Sequence, residues 1–221
     1  VGLQIYVFTN VFLKIKSYQK FFPNSFKEIQ IKKFLITKTI LSEPELFDNY
    51  LESLSEDIQI VHEDQNVEQV ELLVIPNSTK SNHTHFADVI KSTNAYLWKN
   101  KGASADFSIL KDTCERHLEK VDNEIGNLIN VPLYIGLAGT FVGIIIGLWG
   151  IDFTATTEGT TTIISSESIG QLLNGVIAAM FASLVGLTFT VINTALVYKP
   201  AAYKNETDKN HYYDFLQREL L

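Results

Sequence analysis

The side chains with most scope for unusual chemistry sit in apolar surroundings. Thr140, Ser183, Thr190 and Asn193 are three hydroxyls and an amide, set in long runs that hold no Asp, Glu, Lys or Arg. Polar groups in such a setting need partners, and two arrangements supply them. A Ser or Thr hydroxyl can bond a carbonyl of the preceding turn of its own helix. Alternatively, hydroxyls and amides aligned on one face can line a wet or ion-conducting seam. Sets suited to enzymatic chemistry are poor by comparison. His83 and His85 form a His-x-His, and Cys114 and His117 a Cys-x-x-His, but they belong to different segments. His83 lies in a polar loop and Cys114 on an apolar helix face, so no metal site is expected. There is no Gly-Lys-Ser/Thr sequence to cradle a phosphate. No Ser–His–Asp arrangement follows from spacing. The reading is of a non-enzyme without a cofactor.

The elements that must position the four polar residues are two stretches, 130–151 (NVPLYIGLAGTFVGIIIGLWGI) and 168–198 (SIGQLLNGVIAAMFASLVGLTFTVINTALVY). At about 1.5 Å rise per residue the first is roughly 33 Å long, enough to cross a hydrocarbon core of about 30 Å. The second, roughly 46 Å, can cross and continue into water. Core helices of soluble proteins are usually shorter, and rarely charge-free over two neighbouring spans. Both stretches read as transmembrane helices. Each is patterned. Gly136, Gly139, Thr140, Gly143, Gly147 and Gly150 recur every three or four residues, and so do Gly175, Ala179, Ala182, Ser183, Gly186, Thr190 and Asn193. Residues at that spacing share a face. Small residues there let helix backbones approach closely where lipid supplies no hydrophobic drive. Pro132, Gly136, Gly139, Gly143, Gly147, Gly175, Ala179 and Gly186 are therefore expected to pack helices. Thr140, Ser183, Thr190 and Asn193 are the candidate ion-pathway residues.

The stretch from Pro132 to Gly143 (PLYIGLAGTFVG) resembles the second-helix motif of the MotA/TolQ/ExbB proton-channel family, and Gly175 to Leu187 (GVIAAMFASLVGL) resembles its third-helix motif. The order and spacing of cytoplasmic stretch, helix, short outer loop and long helix also match. Within that family the likeness is closest to the A subunit of Zorya-type anti-phage defence motors, and motif-level similarity runs from Ala95 to Glu219. The resemblance implies an inner-membrane motor in which five such subunits ring the helices of a two-copy B-type partner. The partner's membrane Asp carries the ion, H⁺ or Na⁺, and the hydroxyls of Thr140 and Ser183 face it. Ser183 stands where Thr is often found, which keeps the hydroxyl and loses a methyl. This chain has no carboxylate within either stretch, so another chain must supply the titrating group. TolQ/ExbB-like energising of envelope transport and a non-conducting membrane scaffold are the alternatives.

The rest of the chain fits around these spans. Residues 1–16 (VGLQIYVFTNVFLKIK) begin apolar and turn basic at Lys14 and Lys16, which suggests the inner end of a first transmembrane helix. Residues 17–129 are polar and expected to be mainly helical. Within them, 41–54 is expected as a helix with an apolar stripe from Leu46 to Leu54. IQIV (58–61) and VELLVI (70–75) read equally as short strands or helix turns. Helical spacing returns from His85, and from Ala105 to Ile129 it places Phe107, Leu110, Cys114, His117 or Leu118, and Val121 on one side. Between Lys120 and Lys199 there is no basic residue, so the loop 152–167 carries only negative charge. The positive-inside rule then puts that loop in the periplasm and the flanks of the spans in the cytoplasm. Lys199-Pro200 marks an expected bend, and residues 199–221 resume helical spacing with Tyr212, Phe215, Leu216 and Leu220 on one face. That pattern is unfinished at Leu221, as at the start of a cytoplasmic tail. The net charge of −7 gives no reason to expect nucleic acid. The single cysteine permits no internal disulfide. The sequence thus predicts an all-α membrane protein with a mainly helical cytoplasmic region.

Overall fold

The computed structural model describes residues 1–23, 25–26, 29, 31–37, 69–75, 84–100, 104–149 and 166–220. The helix expected over 41–54, the IQIV segment, His83 and the loop 152–165 lie outside the described residues. The elements in chain order are α1 (Gly2–Tyr18), β1 (Lys32–Thr37), β2 (Gln69–Val74), α2 (Thr84–Lys99), α3 (Phe107–Ile129), α4 (Val131–Trp149), α5 (Ser166–Val191), a π-helical segment (Ile192–Tyr198) and α6 (Lys199–Leu220). The chain divides into two compact units, one of residues 1–16 and 123–201 and the other of residues 17–122 and 202–221.

The first unit is apolar outside, and small residues fill the contact between its two long helices. Its exterior carries Phe141, Ile145, Ile146 and Trp149 of α4 and Leu173, Met180, Phe181 and Leu184 of α5, each more than half exposed. Its interior holds Gly136, Gly147, Ala179 and Gly186. Only 17% of the apolar window of each long helix is buried, whereas the core helix of a soluble protein is mostly covered. Both helices are long and apolar enough to cross a hydrocarbon layer, α4 at roughly 28 Å and α5 at roughly 39 Å. Pro132 stands in the first turn of α4, where its missing N–H has no intrahelical partner to lose. On the exposed side of this unit the Lys14 ammonium donates to the Glu124 carboxylate, a pair worth little in water.

Where the sequence suggests a bend at Lys199-Pro200, the chain stays helical. The irregularity falls earlier, in the π-helical segment, whose end is marked by the Lys199 N–H donating to the Thr194 carbonyl, an i to i−5 bond. Proline lacks an N–H and its ring collides with the carbonyl one turn back. A widened turn just before Pro200 relieves that collision without breaking the helix.

The second unit has an aromatic core. Phe21, Phe22, Phe86, Tyr212 and Phe215 are all buried. The Phe86 and Tyr212 rings meet edge to face with centroids 5.3 Å apart, and Phe22 lies 5.6 Å from Phe86. The face of α6 predicted from spacing is the one buried: Tyr212, Phe215, Leu216 and Leu220. On α3 the same holds for Leu110, Cys114 and Leu118. His117 is not part of that core; it stands half-buried beside α2. The start of α3 is capped by Asp106, whose Oδ1 accepts from the Ser108 N–H at 2.8 Å and from its hydroxyl at 2.7 Å. Those bonds hold the Asp106 carboxyl below its ordinary range.

The all-α expectation needs one amendment. Residues 70–74 of the ambiguous VELLVI segment are a strand, and β2 pairs antiparallel with β1, Lys33 opposite Leu73 and Leu35 opposite Glu71. A short run rich in branched side chains that buries Leu72 and Val74 on one face fits a pleated surface better than a helical one. The end of this ribbon is clasped by Asn94 of α2, itself buried. Its Oδ1 accepts from the Ile75 N–H at 2.9 Å, and its Nδ2 donates to the Ile75 carbonyl at 2.8 Å.

Replacing Asn94 by Ala should destabilise this unit by about 2–4 kcal/mol, because two buried backbone groups of Ile75 lose their partner. Thermal unfolding of Asn94→Ala against wild type checks it, and an unchanged midpoint would contradict the clasp. A second expectation concerns pH. Burial pushes the Cys114 thiol from its ordinary 9.0 up to about 12, and burial moves the Tyr212 and Tyr213 hydroxyls upward as well. Above pH 9 the unfolded chain therefore binds fewer protons than the folded one, and stability falls as pH rises towards 12. Urea midpoints should decline over that range, and Cys114→Ala should flatten part of the decline.

Candidate functional site

The small residues of α4 and α5 meet face to face, and the pairing is antiparallel. At one end Gly186 lies against Pro132 and Gly136; at the middle Gly139 lies beside Ala182; further on, Gly143 meets Ala179 and Gly175, and Gly147 meets Leu172. The approach is close enough that side chains do not fit. A Cβ on Gly186 would fall 2.5 Å from the Pro132 carbonyl oxygen, and one on Gly175 would fall 2.8 Å from the Gly143 carbonyl oxygen. A Cβ on Gly143 would stand 2.8 Å from the Ala179 methyl. The helix-packing residues read from spacing are thus in mutual contact.

The four polar candidates separate into two levels. Thr140 and Ser183 belong to the middle of the pair: Thr140 follows Gly139, and the Ser183 Cα lies 3.2 Å from the Cβ position of Gly136. Thr190 and Asn193 lie further along α5 and the π-helical segment, one to two turns past the level of Pro132. Two of the three hydroxyls are accounted for locally. Thr140 donates to the Leu137 carbonyl at 2.6 Å, and buried Thr190 donates to the Gly186 carbonyl at 3.0 Å. Asn193 differs. It is fully buried, and among the described residues neither its Oδ1 nor its Nδ2 has a hydrogen-bond partner. An amide left so costs about 1–3 kcal/mol for each unpaired group. It sits on the π-helical segment, a geometry common at functional sites.

One polar residue escaped the sequence reading. Gln4 of α1 is 1% exposed and reaches to both apolar helices. Its Nε2 donates to the Ala182 carbonyl at 2.9 Å and approaches the Pro132 carbonyl at 3.4 Å. The same nitrogen stands 3.0 Å from the Cβ position of Gly136 and 2.9 Å from that of Gly186. The two glycines therefore make room for an amide as well as for each other's helix. Gln4 Oε1 is buried without a partner among the described residues. The available signal was an amide in a mostly apolar run, but the same run also carries Thr9 and Asn10, and nothing in its spacing singles out Gln4. Four residues along α1, Phe8 stacks on Phe189 of α5 at 4.6 Å, so α1 is held to α5 by an aromatic contact as well as by Gln4.

The closeness of the helix pair predicts an asymmetry between glycines. Gly186→Ala should destabilise the apolar unit by about 1–3 kcal/mol, since a methyl in a filled contact forces the backbones apart. Gly170→Ala, whose Cβ position has nothing within 4 Å, should be neutral or slightly stabilising. Thermal unfolding in detergent of the two variants checks this, and equal effects would contradict the close approach.

Neither a protein-family model, nor a curated protein, nor a solved structure matches the chain.

Proposed function

We propose that the chain is the A-type subunit of an ion-driven motor in a bacterial inner membrane, with α4 and α5 spanning the bilayer. Five copies surround a two-copy, single-span partner whose membrane Asp carries H⁺ or Na⁺. The Asp is loaded from the periplasm, passes the level of Thr140 and Ser183, and releases its ion to the cytoplasm through the region of Thr190 and Asn193. Each cycle turns the ring against the partner, and the cytoplasmic part passes the motion on, in anti-phage defence. The likeness of 132–143 and 175–187 to the family motifs supports this reading.

The observation that carries it furthest is the uneven treatment of polar groups in the apolar unit. Here the backbone contact is closed, yet the Asn193 amide and Gln4 Oε1 are left open in buried positions. Polar groups inside a membrane are costly, and an amide left open there is available to an ion or to a partner's side chain. The scaffold reading keeps one observation of its own: the Thr140 and Thr190 hydroxyls are satisfied within their own helices.

Native mass spectrometry of the chain, coexpressed with the products of neighbouring genes, should give five copies with two of a small Asp-bearing partner. In vesicles, that complex should take up ions, and Thr140→Val with Ser183→Ala should cut the uptake at least about tenfold, the scale of a lost transition-state contact. A homo-oligomer without a partner, or uptake indifferent to the double substitution, would sink the proposal.

A further inference from the structure

The second unit contains a cleft of about 540 Å³ between α2 and α3, of a size that small-molecule sites commonly have. Its charge is one-sided. Lys99, Arg116, His117 and Lys120 line it, and among the described residues no carboxylate does, in a chain whose net charge is −7. Neither Lys99 nor Lys120 has an ion pair among the described residues. Arg116 does: its Nε donates to Asp112 at 3.1 Å, which occupies one of the five guanidinium N–H groups and leaves the others. Polar atoms converge with the charges, for Ser92 Oγ and His117 Nε2 are 3.0 Å apart.

His117 reports the field inside the cleft. Burial chiefly lowers its pKa, Asp88 opposes that, and the nearby Lys120 and Arg116 charges lower it further. The two cations are therefore close enough to act on one point. Asp88 and the Asp112 partner of Arg116 offset part of this positive charge, and Lys99 and Lys120 remain without an ion pair among the described residues. A multiply charged anion complements them. Arg and Lys are the usual partners of phosphate oxygens, Arg through its fork and Lys as a point charge. Ala95 of α2 and Ile109 of α3 also line the cleft and add apolar surface that suits an organic portion.

We propose that this cleft binds a phosphate group, held by Lys99, Arg116 and Lys120, with the Ser92 hydroxyl and His117 as neutral hydrogen-bonding partners. The site stands independently of the motor reading.

The test is calorimetric titration of inorganic pyrophosphate into the full chain in phosphatidylcholine nanodiscs. Saturable binding is expected, at least about tenfold weaker in the double variant Lys99→Gln, Lys120→Gln, as loss of charge-assisted bonds requires. The double variant Lys99→Arg, Lys120→Arg should retain it, which separates loss of charge from loss of structure. Lys111→Gln removes an equal charge elsewhere on α3 and should change affinity by less than about twofold, because screening confines the effect of a distant exposed charge. Repeating the titration in phosphatidylglycerol nanodiscs identifies the source of the phosphate. Unchanged affinity points to a soluble phosphate compound, and competition that the Gln variants abolish points to a lipid headgroup. Absence of saturable binding, or equal weakening by Lys111→Gln, would overturn the proposal.

Discussion

The apolar unit depends on the distance at which α4 and α5 can approach. Where Gly186 meets Pro132 and Gly175 meets Gly143, carbonyl oxygens of one helix lie where the other helix would carry a Cβ. In water, burial of large side chains would hold two such helices together, at about 25 cal/mol per Å² of apolar surface. This pair keeps its large side chains outside instead, with Phe141, Ile146 and Trp149 more than half exposed. What remains to hold the helices is dispersion between closely spaced backbones, which falls off steeply with distance. Small residues at every third or fourth position are the only way to obtain that distance along several turns. The outward display of large apolar residues follows directly, since the inward positions have no space for them.

The same closeness dictates how polar groups are treated. A helix pair without interior volume has no room for side chains to bridge across, so Thr140 and Thr190 bond carbonyls of their own helix. Gln4 is the exception because it comes from a third helix. It enters where Gly136 and Gly186 leave a gap, and its Nε2 finds the Ala182 carbonyl there. An amide has both donor and acceptor ends, and this gap supplies acceptors only. Gln4 Oε1 is therefore stranded by the geometry that satisfies its Nε2.

Much of this was legible in the sequence, for a physical reason. Charge-free length and a three-to-four residue repeat of small side chains are one-dimensional signals, and they located α4, α5 and the contacts among Gly136, Gly143, Gly175, Ala179 and Gly186. The buried face of α6 was legible in the same way. The gaps have causes too. The choice between strand and helix at 70–75 was not decidable locally, because it depends on pairing with β1, more than thirty residues earlier. Whether His117 or Leu118 faced the core was undecidable by periodicity, since neighbouring residues differ by only about 100° around a helix. The structure buries Leu118 and gives His117 to Ser92. Gln4 was hidden by its neighbours: the run also holds Thr9 and Asn10, and composition does not say which polar side chain turns towards α4 and α5.

The π-helical segment joins these threads. Pro200 cannot donate a hydrogen bond and its ring collides with the carbonyl one turn back, and the chain widens over Ile192–Tyr198 just before it. Widening displaces the following side chains around the axis relative to an α-helix. Asn193 lies at the start of that segment, fully buried, where i to i−4 bonding gives way to i to i−5. A hydroxyl at this position could bond the turn before it, as Thr190 does one turn earlier. The Asn amide is planar and needs partners on both sides, which a single helix in transition between two hydrogen-bonding patterns does not offer. The open amide is thus a consequence of putting asparagine, rather than serine or threonine, where Pro200 forces the helix to change pitch. If packing were the sole requirement, threonine would meet it at lower cost.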